Sequence, residues 1–300
     1  MFISLDWISD FVDLSGFDPK TIADKLTMAT AEVEDVCPVT RFVDGVLVGE
    51  IVSATPFETP DGKTRTFCEV DCGDRTYKTV CGAPNARVGL KAPFAPAGTV
   101  LGDKTIEKAE LYGRPSEGML CAAGELGMSS WHEILFECPA STKTGVPFAD
   151  YVPATDCLIE IDNKSLTHRP DLWGHYGFAR ELAAIFHREL KPYPRLSVDQ
   201  FNDLPAFPVA IADENCLCYS GIVFSIEANS TRVPSPIKMQ RRLHVLGQRT
   251  YDLLVDLTNY VSLELGQPTH AFDADTVSSI RVAPMGKRGV LPPSTGSSAK

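Results

Sequence analysis

Thr258, Asn259 and His270 bring a hydroxyl, an amide and an imidazole into one short stretch. Thr258 and Asn259 follow Leu253-Leu-Val-Asp-Leu257, which reads as a buried strand, and open a helical run ending at Gly266. Polar side chains so placed stand at a strand-to-helix mouth. His270 follows Gly266-Gln-Pro268, a helix stop and rigid turn that aims the ring back towards that mouth. Three such groups can position a water and an ester carbonyl for hydrolysis. Thr258-Asn259 is also an ordinary helix N-cap, and a lone histidine in a turn is also a satisfied structural group. Lys78, Arg87, Lys91 and Arg114 form a second set, in a strand-rich segment, able to contact phosphate or to stay as solvated surface charges. His168 and His175 flank Asp171, but this spacing offers no third ligand, so no metal site is expected. Nine cysteines, odd in number and without Cys-x-x-Cys spacing, read as reduced thiols of a cytoplasmic protein.

The elements that must position these groups change character along the chain. Residues 1–38 and 151–190 read as one α/β unit. Ser4 caps a helix through about Leu14, Asp18-Pro19 starts another with Ile22, Ala23 and Leu26 on one face, and Ala31–Val36 alternates as a strand. Cys157–Ile161 is a further strand, and Asp171 is expected to cap a long helix. Between them, residues 40–150 hold strand candidates at 46–52, 66–71, 76–81 and 104–111, with Gly and Pro between, and a helix signal only at Ala122–Leu126. That pattern suggests an inserted OB-fold β-barrel. Residues 191–208 read as a proline-rich linker. Residues 209–286 read as a further α+β unit, with strands at Phe207–Ala212, Tyr219–Ile226 and Leu253–Leu257, and a Ser235-Pro236 cap before a helix ending at Gly247. The fold class is therefore α+β multidomain.

The chain carries 39 acidic against 28 basic residues, a net charge of −11. Residues 1–39 alone hold 2 basic against 8 acidic. This balance argues against a free-standing nucleic-acid binder, though not against an acidic chain with one local RNA-binding patch or a place in a larger complex. No apolar run approaches the ~20 residues of a membrane span, and the N-terminus reads as no secretory signal.

Four collinear segments carry a resemblance. Val80-Cys-Gly-Ala-Pro-Asn85, Gly89-Leu-Lys91, Ser116-Glu-Gly-Met-Leu-Cys121 and Glu125-Leu-Gly127 resemble the tRNA-binding OB domain of the bacterial phenylalanine–tRNA ligase β subunit. Ser4-Leu-Asp-Trp7 and Leu26–Glu34 are similar to that family's N-terminus. His168-Arg-Pro-Asp171 is similar to its Asn-Arg-Pro-Asp segment, and Val255–Val261 with Leu263–Asp273 resembles its editing module. The resemblance implies part of an (αβ)₂ enzyme that joins phenylalanine to tRNA(Phe) with ATP and Mg2+; neither ATP nor Mg2+ is expected to bind residues present here, whereas tRNA(Phe) is an expected partner. It also implies an α subunit that carries the aminoacylation site, and removal of mischarged tyrosine by an editing pocket containing His270, Thr258 and Asn259. Arg249, from Gly247-Gln-Arg249, is implied near the tRNA 3′ end. A pocket for an apolar ring rejects an added hydroxyl only about 10²-fold, which makes a second, hydrolytic sieve useful.

The chain also departs from the family. The later modules, including those that pair with α, have no counterpart, and neither does the acidic residue that binds the tyrosine hydroxyl. The editing domain is expected to be incomplete, and no aminoacylation is expected of this chain alone. After Gly286 periodicity is lost, and Lys287–Lys300 reads as an aberrant or disordered tail. With suitable codons, Leu291–Lys300 read in a neighbouring frame gives a Leu-Asp-Gly turn followed by Arg, so a frameshift or premature end is expected. The alternatives are a stand-alone tRNA-binding or trans-editing protein and a non-functional frameshift product.

Overall fold

A computed structural model describes residues 1–201, 203, 207–225 and 234–284. The expected tail at 287–300, Ile226 and part of the 191–208 linker lie outside the described residues.

The chain opens with β1 (Phe2–Ser4) and the single turn α1 (Leu5–Ile8), then α2 (Pro19–Ala29) and β2 (Val33–Thr40). Ser4 caps α1, its Oγ accepting the Trp7 N–H at 3.1 Å. That helix stops at Ile8 rather than running to Leu14, because Val12 forms a bridge to Leu190 and the Phe11 carbonyl accepts from Lys191 N. Asp18 caps α2 as expected, and Ile22, Ala23 and Leu26 are buried.

Residues 41–154 then form a separate sheet. Its strands are β3 (Leu47–Glu58), β4 (Thr64–Asp71), β5 (Thr76–Cys81) and β6 (Lys91–Pro96). The small pairs β7 (Val100–Leu101) with β8 (Lys104–Thr105), and β9 (Ala109–Leu111) with β10 (Arg114–Ser116), lead to β11 (Gly118–Leu120). The main sheet has the order β11-β6-β3-β4-β5, antiparallel throughout. It nearly closes on itself: Glu117 N donates to Lys78 O at 2.8 Å, and Thr79 Oγ1 to Gly118 O at 2.7 Å. Ile51, Cys68, Val70, Ala92, Phe94 and Leu120 fill one side of its interior.

Two expectations change in this region. The single strand at 104–111 breaks in two, because Ile106 N turns to Thr99 O at 2.8 Å. The Ala122–Leu126 signal is a turn, not a helix. β6 escaped sequence reading because it contains Pro93 and Pro96. Pro93 lies opposite Val48, whose N–H and C=O are both taken by the 145–146 backbone, so the missing proline donor leaves nothing unpaired.

After β12 (Thr155–Ile161) come α3 (His175–Ile185), β13 (Val209–Ile211), α4 (Ile237–Val245), α5 (Leu253–Leu265) and β14 (Ile280–Val282). β12 is the centre of a β1-β12-β2 antiparallel sheet. Thr155 on β12 pairs with Thr40 on β2, so the chain leaves this sheet for the nearly closed one and returns at the same end. Ile3, Trp7, Leu26, Ile159, Ile161 and Phe178 are among the core residues between this sheet and its helices. Asp171 does not cap α3, since Arg169 and Arg180 hold its carboxylate; Gly174 is the N-cap. At α4 the residue before the helix is Pro236, with no side-chain cap bond, while Ser235 Oγ donates to Asp256.

Two compact units result, one of Met1–Tyr193 with Ala228–His270 and one of Pro194–Glu227 with Ala271–Lys300. In the second, β13 and β14 form a parallel pair, Val209 opposite Ile280. Tyr219–Ser225 joins no ladder among the described residues.

Candidate functional site

α5 carries Thr258 and Asn259, and it begins earlier than sequence suggests. The expected strand at Leu253–Leu257 is its first turns, because Asp252 Oδ1 accepts the Leu254 and Val255 N–H groups, each at 3.0 Å. Thr258 and Asn259 are therefore mid-helix rather than at a strand-to-helix mouth. Gly266 ends the helix in the left-handed conformation, φ +69°, as expected.

One face of α5 is fixed by polar contacts at i, i+4, i+7 and i+8. Asp256 accepts from Ser235 Oγ at 2.5 Å and Tyr251 N at 2.8 Å. Tyr260 accepts from Arg242 Nη1 at 2.8 Å. The Leu263 carbonyl accepts from His175 Nδ1 at 2.7 Å, and Glu264 accepts from Trp7 Nε1 at 2.8 Å and Tyr193 OH at 2.7 Å. At 100° per residue this leaves Thr258 on the other side of the helix and Asn259 at its flank. Thr258 Oγ1 donates to Val255 O at 2.8 Å, and the Asn259 amide makes no hydrogen bond to another described residue. Thr269 Oγ1 donates to Thr258 O at 3.2 Å, which ties the turn before His270 to the helix. His270 itself is exposed.

α4 is held as firmly. Arg242, almost wholly buried, donates to Asp10 Oδ2 at 2.7 Å and to Asp6 O at 3.2 Å, and its guanidinium lies 5.2 Å from the Trp7 ring centre. Arg241 pairs with Asp6. Trp7 in turn stacks on His175 at 4.2 Å and packs against Tyr260 at 4.3 Å. His175 accepts the Ser4 N–H on Nε2 at 3.0 Å while Nδ1 donates to Leu263, so it is a neutral ring, and burial lowers its pKa to about 4. Burial likewise lowers His244 to about 4; its Nε2 meets Thr250 Oγ1 at 3.2 Å, while Nδ1 is buried without a partner among the described residues. Arg249, half-buried beyond α4, lies over Trp131 at 5.1 Å and Tyr251 at 5.7 Å.

The four cations of the closed sheet are spread over it rather than gathered. Lys78 Nζ lies 3.8 Å from Glu69. Arg87 donates to both carboxylate oxygens of Glu137, at 2.9 and 2.7 Å, which raises its own pKa and lowers that of Glu137 against the effect of burial. Lys91 Nζ donates to the carbonyls of Ala140 and Thr142 at 2.8 and 2.7 Å. Arg114 lies over the Phe57 ring at 4.5 Å and the Phe67 ring at 5.1 Å.

Among the described residues no cluster of three or more His, Cys, Asp or Glu side chains is placed to hold a metal ion. The buried carboxylates are turned inward: Asp156 accepts from Arg41, Ser4 and Asp6 N, and Glu264 from Trp7 and Tyr193. These two carboxylates do not fit a magnesium site. All nine cysteines are free, and burial pushes Cys68 and Cys72 up to about 12, away from reactive thiolate. No described helix is long and apolar enough to cross a membrane.

Comparison with known proteins extends these observations. The family described as "Putative tRNA binding domain" matches residues 46–147, which contain the closed sheet. The family described as "B3/4 domain" matches residues 219–290. The phenylalanine–tRNA ligase β subunit of Pectobacterium atrosepticum is 38% identical over 286 residues, covering 94% of this chain and 35% of that relative. That of Salinibacter ruber is 35% identical over 304 residues, with 93% and 35% covered. The chain thus spans about a third (35%) of the length of the curated relatives it matches. With a tRNA-binding-type sheet at 46–147, a B3/4 segment after it and a relation running through nearly its whole length, the chain belongs to the phenylalanine–tRNA ligase β-subunit family.

Proposed function

We propose that this chain takes part in phenylalanyl-tRNA synthesis as β-subunit sequence, binding tRNA(Phe) and acting with an α subunit, ATP and Mg2+ in the full enzyme in the cytoplasm. The observation that carries the reading is the near-complete coverage of this chain by β subunits at 35–38% identity. We read the closed sheet as an OB-type barrel. Its β3-β4-β5 meander, the return of β6 to β3 and the meeting of β11 with β5 support that reading. Lys78, Arg87, Lys91 and Arg114 are its proposed phosphate contacts, with Arg249 towards the tRNA 3′ end.

The editing reading rests on α5 and the turn after it. In it, Thr258, Asn259 and His270 orient a water and the ester of a mischarged tyrosyl-tRNA. The Thr269–Thr258 bond supports it by drawing the His270 turn to the helix that bears Thr258 and Asn259. The His270 residue is exposed, which supports access of a substrate to it.

Fluorescence anisotropy with labelled tRNA(Phe) tests the binding. We expect saturable binding that weakens steeply with added salt, and absence of binding at low salt overturns the reading. Tyrosyl-tRNA(Phe) deacylation by the same protein tests the editing. Loss of at least tenfold in His270→Ala is the expected result, and an unchanged rate removes His270 from the chemistry.

A further inference from the structure

The hairpin β9–β10 turns through Tyr112 and Gly113, both in the left-handed region at φ +55° and +72°. Two-residue hairpins favour that geometry with Asn-Gly or Asp-Gly. Tyr112 holds it with a bulky side chain, a backbone strain that stability alone does not call for. Tyr112 is 51% exposed, and its ring makes an edge-on contact with that of Phe57, centres 6.2 Å apart.

Phe57, on β3, is opposite Arg65 of β4, and Phe67 is opposite Thr55, so these four side chains share one face of the sheet. The other face of β4 carries buried Cys68 and Val70. On a sheet with one face in the core, alternation places polar residues outside. Here two phenylalanines stand outside, and Arg114 from the hairpin lies over both.

The charges single out the same face. The segment 46–147 has four arginines. Arg75 and Arg87 are paired with Glu117 and Glu137, whereas Arg65 and Arg114 are in no ion pair with a described residue. In a chain of net charge −11, two cations left without carboxylates beside the half-buried Phe57 and Phe67 and the exposed Tyr112 complement a polyanion that carries flat apolar groups.

We propose that this face binds an unpaired stretch of RNA, with Tyr112 stacking on a base, Arg114 held by Phe57 and Phe67 for the adjoining base or phosphate, and Arg65 taking a phosphate. The proposal rests on the tRNA-binding reading and gives it a location that Lys78, Arg87, Lys91 and Arg114 together do not: of these four only Arg114 belongs to it.

The test compares the tRNA transcript, a single-stranded RNA 12-mer and a fully paired duplex of the same composition, each by anisotropy. Tyr112→Asn removes the ring while keeping a residue that tolerates the left-handed turn. Arg65→Gln and Arg114→Gln remove charge, and Lys20→Gln on α2 is the control, with matched melting midpoints verifying the fold. We expect Tyr112→Asn to weaken the single strand about tenfold and leave the duplex unchanged. Each arginine variant is expected to lower the salt slope by about one. If the transcript and the 12-mer bind all three variants as they bind the unchanged protein, this face is overturned and the tRNA reading stands. If the unchanged protein binds neither, both fall.

Discussion

His175 and His244 make stability depend on pH in a defined window. Both are buried with pKa values lowered to about 4, against about 6.5 in an unfolded chain. Between these values the unfolded state takes up protons that the folded state refuses. Their contribution is therefore complete above pH 6.5, falls as the pH drops towards 4, and changes no further below it. A shift of this size corresponds to roughly 3 kcal/mol for each ring. Urea unfolding between pH 7 and 4 is expected to lose several kcal/mol, and His175→Gln to remove about half of that slope; a flat profile would refute the assignment. Asp171 acts in a separate, lower window. Its hydrogen bonds to Arg169 hold its pKa at about 2, so its contribution is present above the ordinary carboxylate value and lost as pH falls through 2.

Elements cross closely where α3 begins and α5 ends. A Cβ on Gly174 would stand 2.4 Å from Gly266 N and 2.7 Å from Glu264 O, backbone atoms that cannot turn aside. This crossing brings the His175 ring onto Leu263 O and leaves room for Glu264 to reach Trp7. Gly174→Ala is expected to destabilise by about 3 kcal/mol, read as a lower urea midpoint with unchanged slope. A loss below about 0.5 kcal/mol would mean that the two helices do not meet so tightly. The same helix explains a misreading: Leu253-Leu-Val-Asp-Leu257 is apolar enough for a strand, yet Asp252 accepts two N–H groups and turns it into helix. Short apolar runs carry no period that separates the two outcomes.

At the scale of the molecule, all three apolar cores lie in the unit made of Met1–Tyr193 and Ala228–His270. The described residues of the other unit contribute none, and Leu217, Ile222, Phe224 and Phe272 are each more than half exposed there. Burial of apolar area supplies most of the resistance to opening. Limited trypsin digestion is therefore expected to cut after Arg195 and Arg281 before any site in residues 1–193. Cleavage beginning within β3–β6 would contradict this distribution of stability.

Much of this was legible in the residues themselves. The Ser4 and Asp18 caps, the Ile22–Leu26 face, the strands at 66–71 and 76–81 and the stop at Gly266 follow from local rules, because a cap or a period is satisfied within a few residues. The motifs around Val80–Asn85, Ser116–Cys121 and Leu263–Asp273 carried the family. Only tertiary structure decided that Pro93 sits within a sheet, that His175 is a buried link rather than a ligand, and that Arg242 joins Asp10 to Tyr260 across 18 residues one way and 232 the other. It also gathered Phe57, Arg65, Phe67, Tyr112 and Arg114 on one face. Such juxtapositions depend on register between distant strands, and register is set by the packing of the whole sheet rather than by any segment of it.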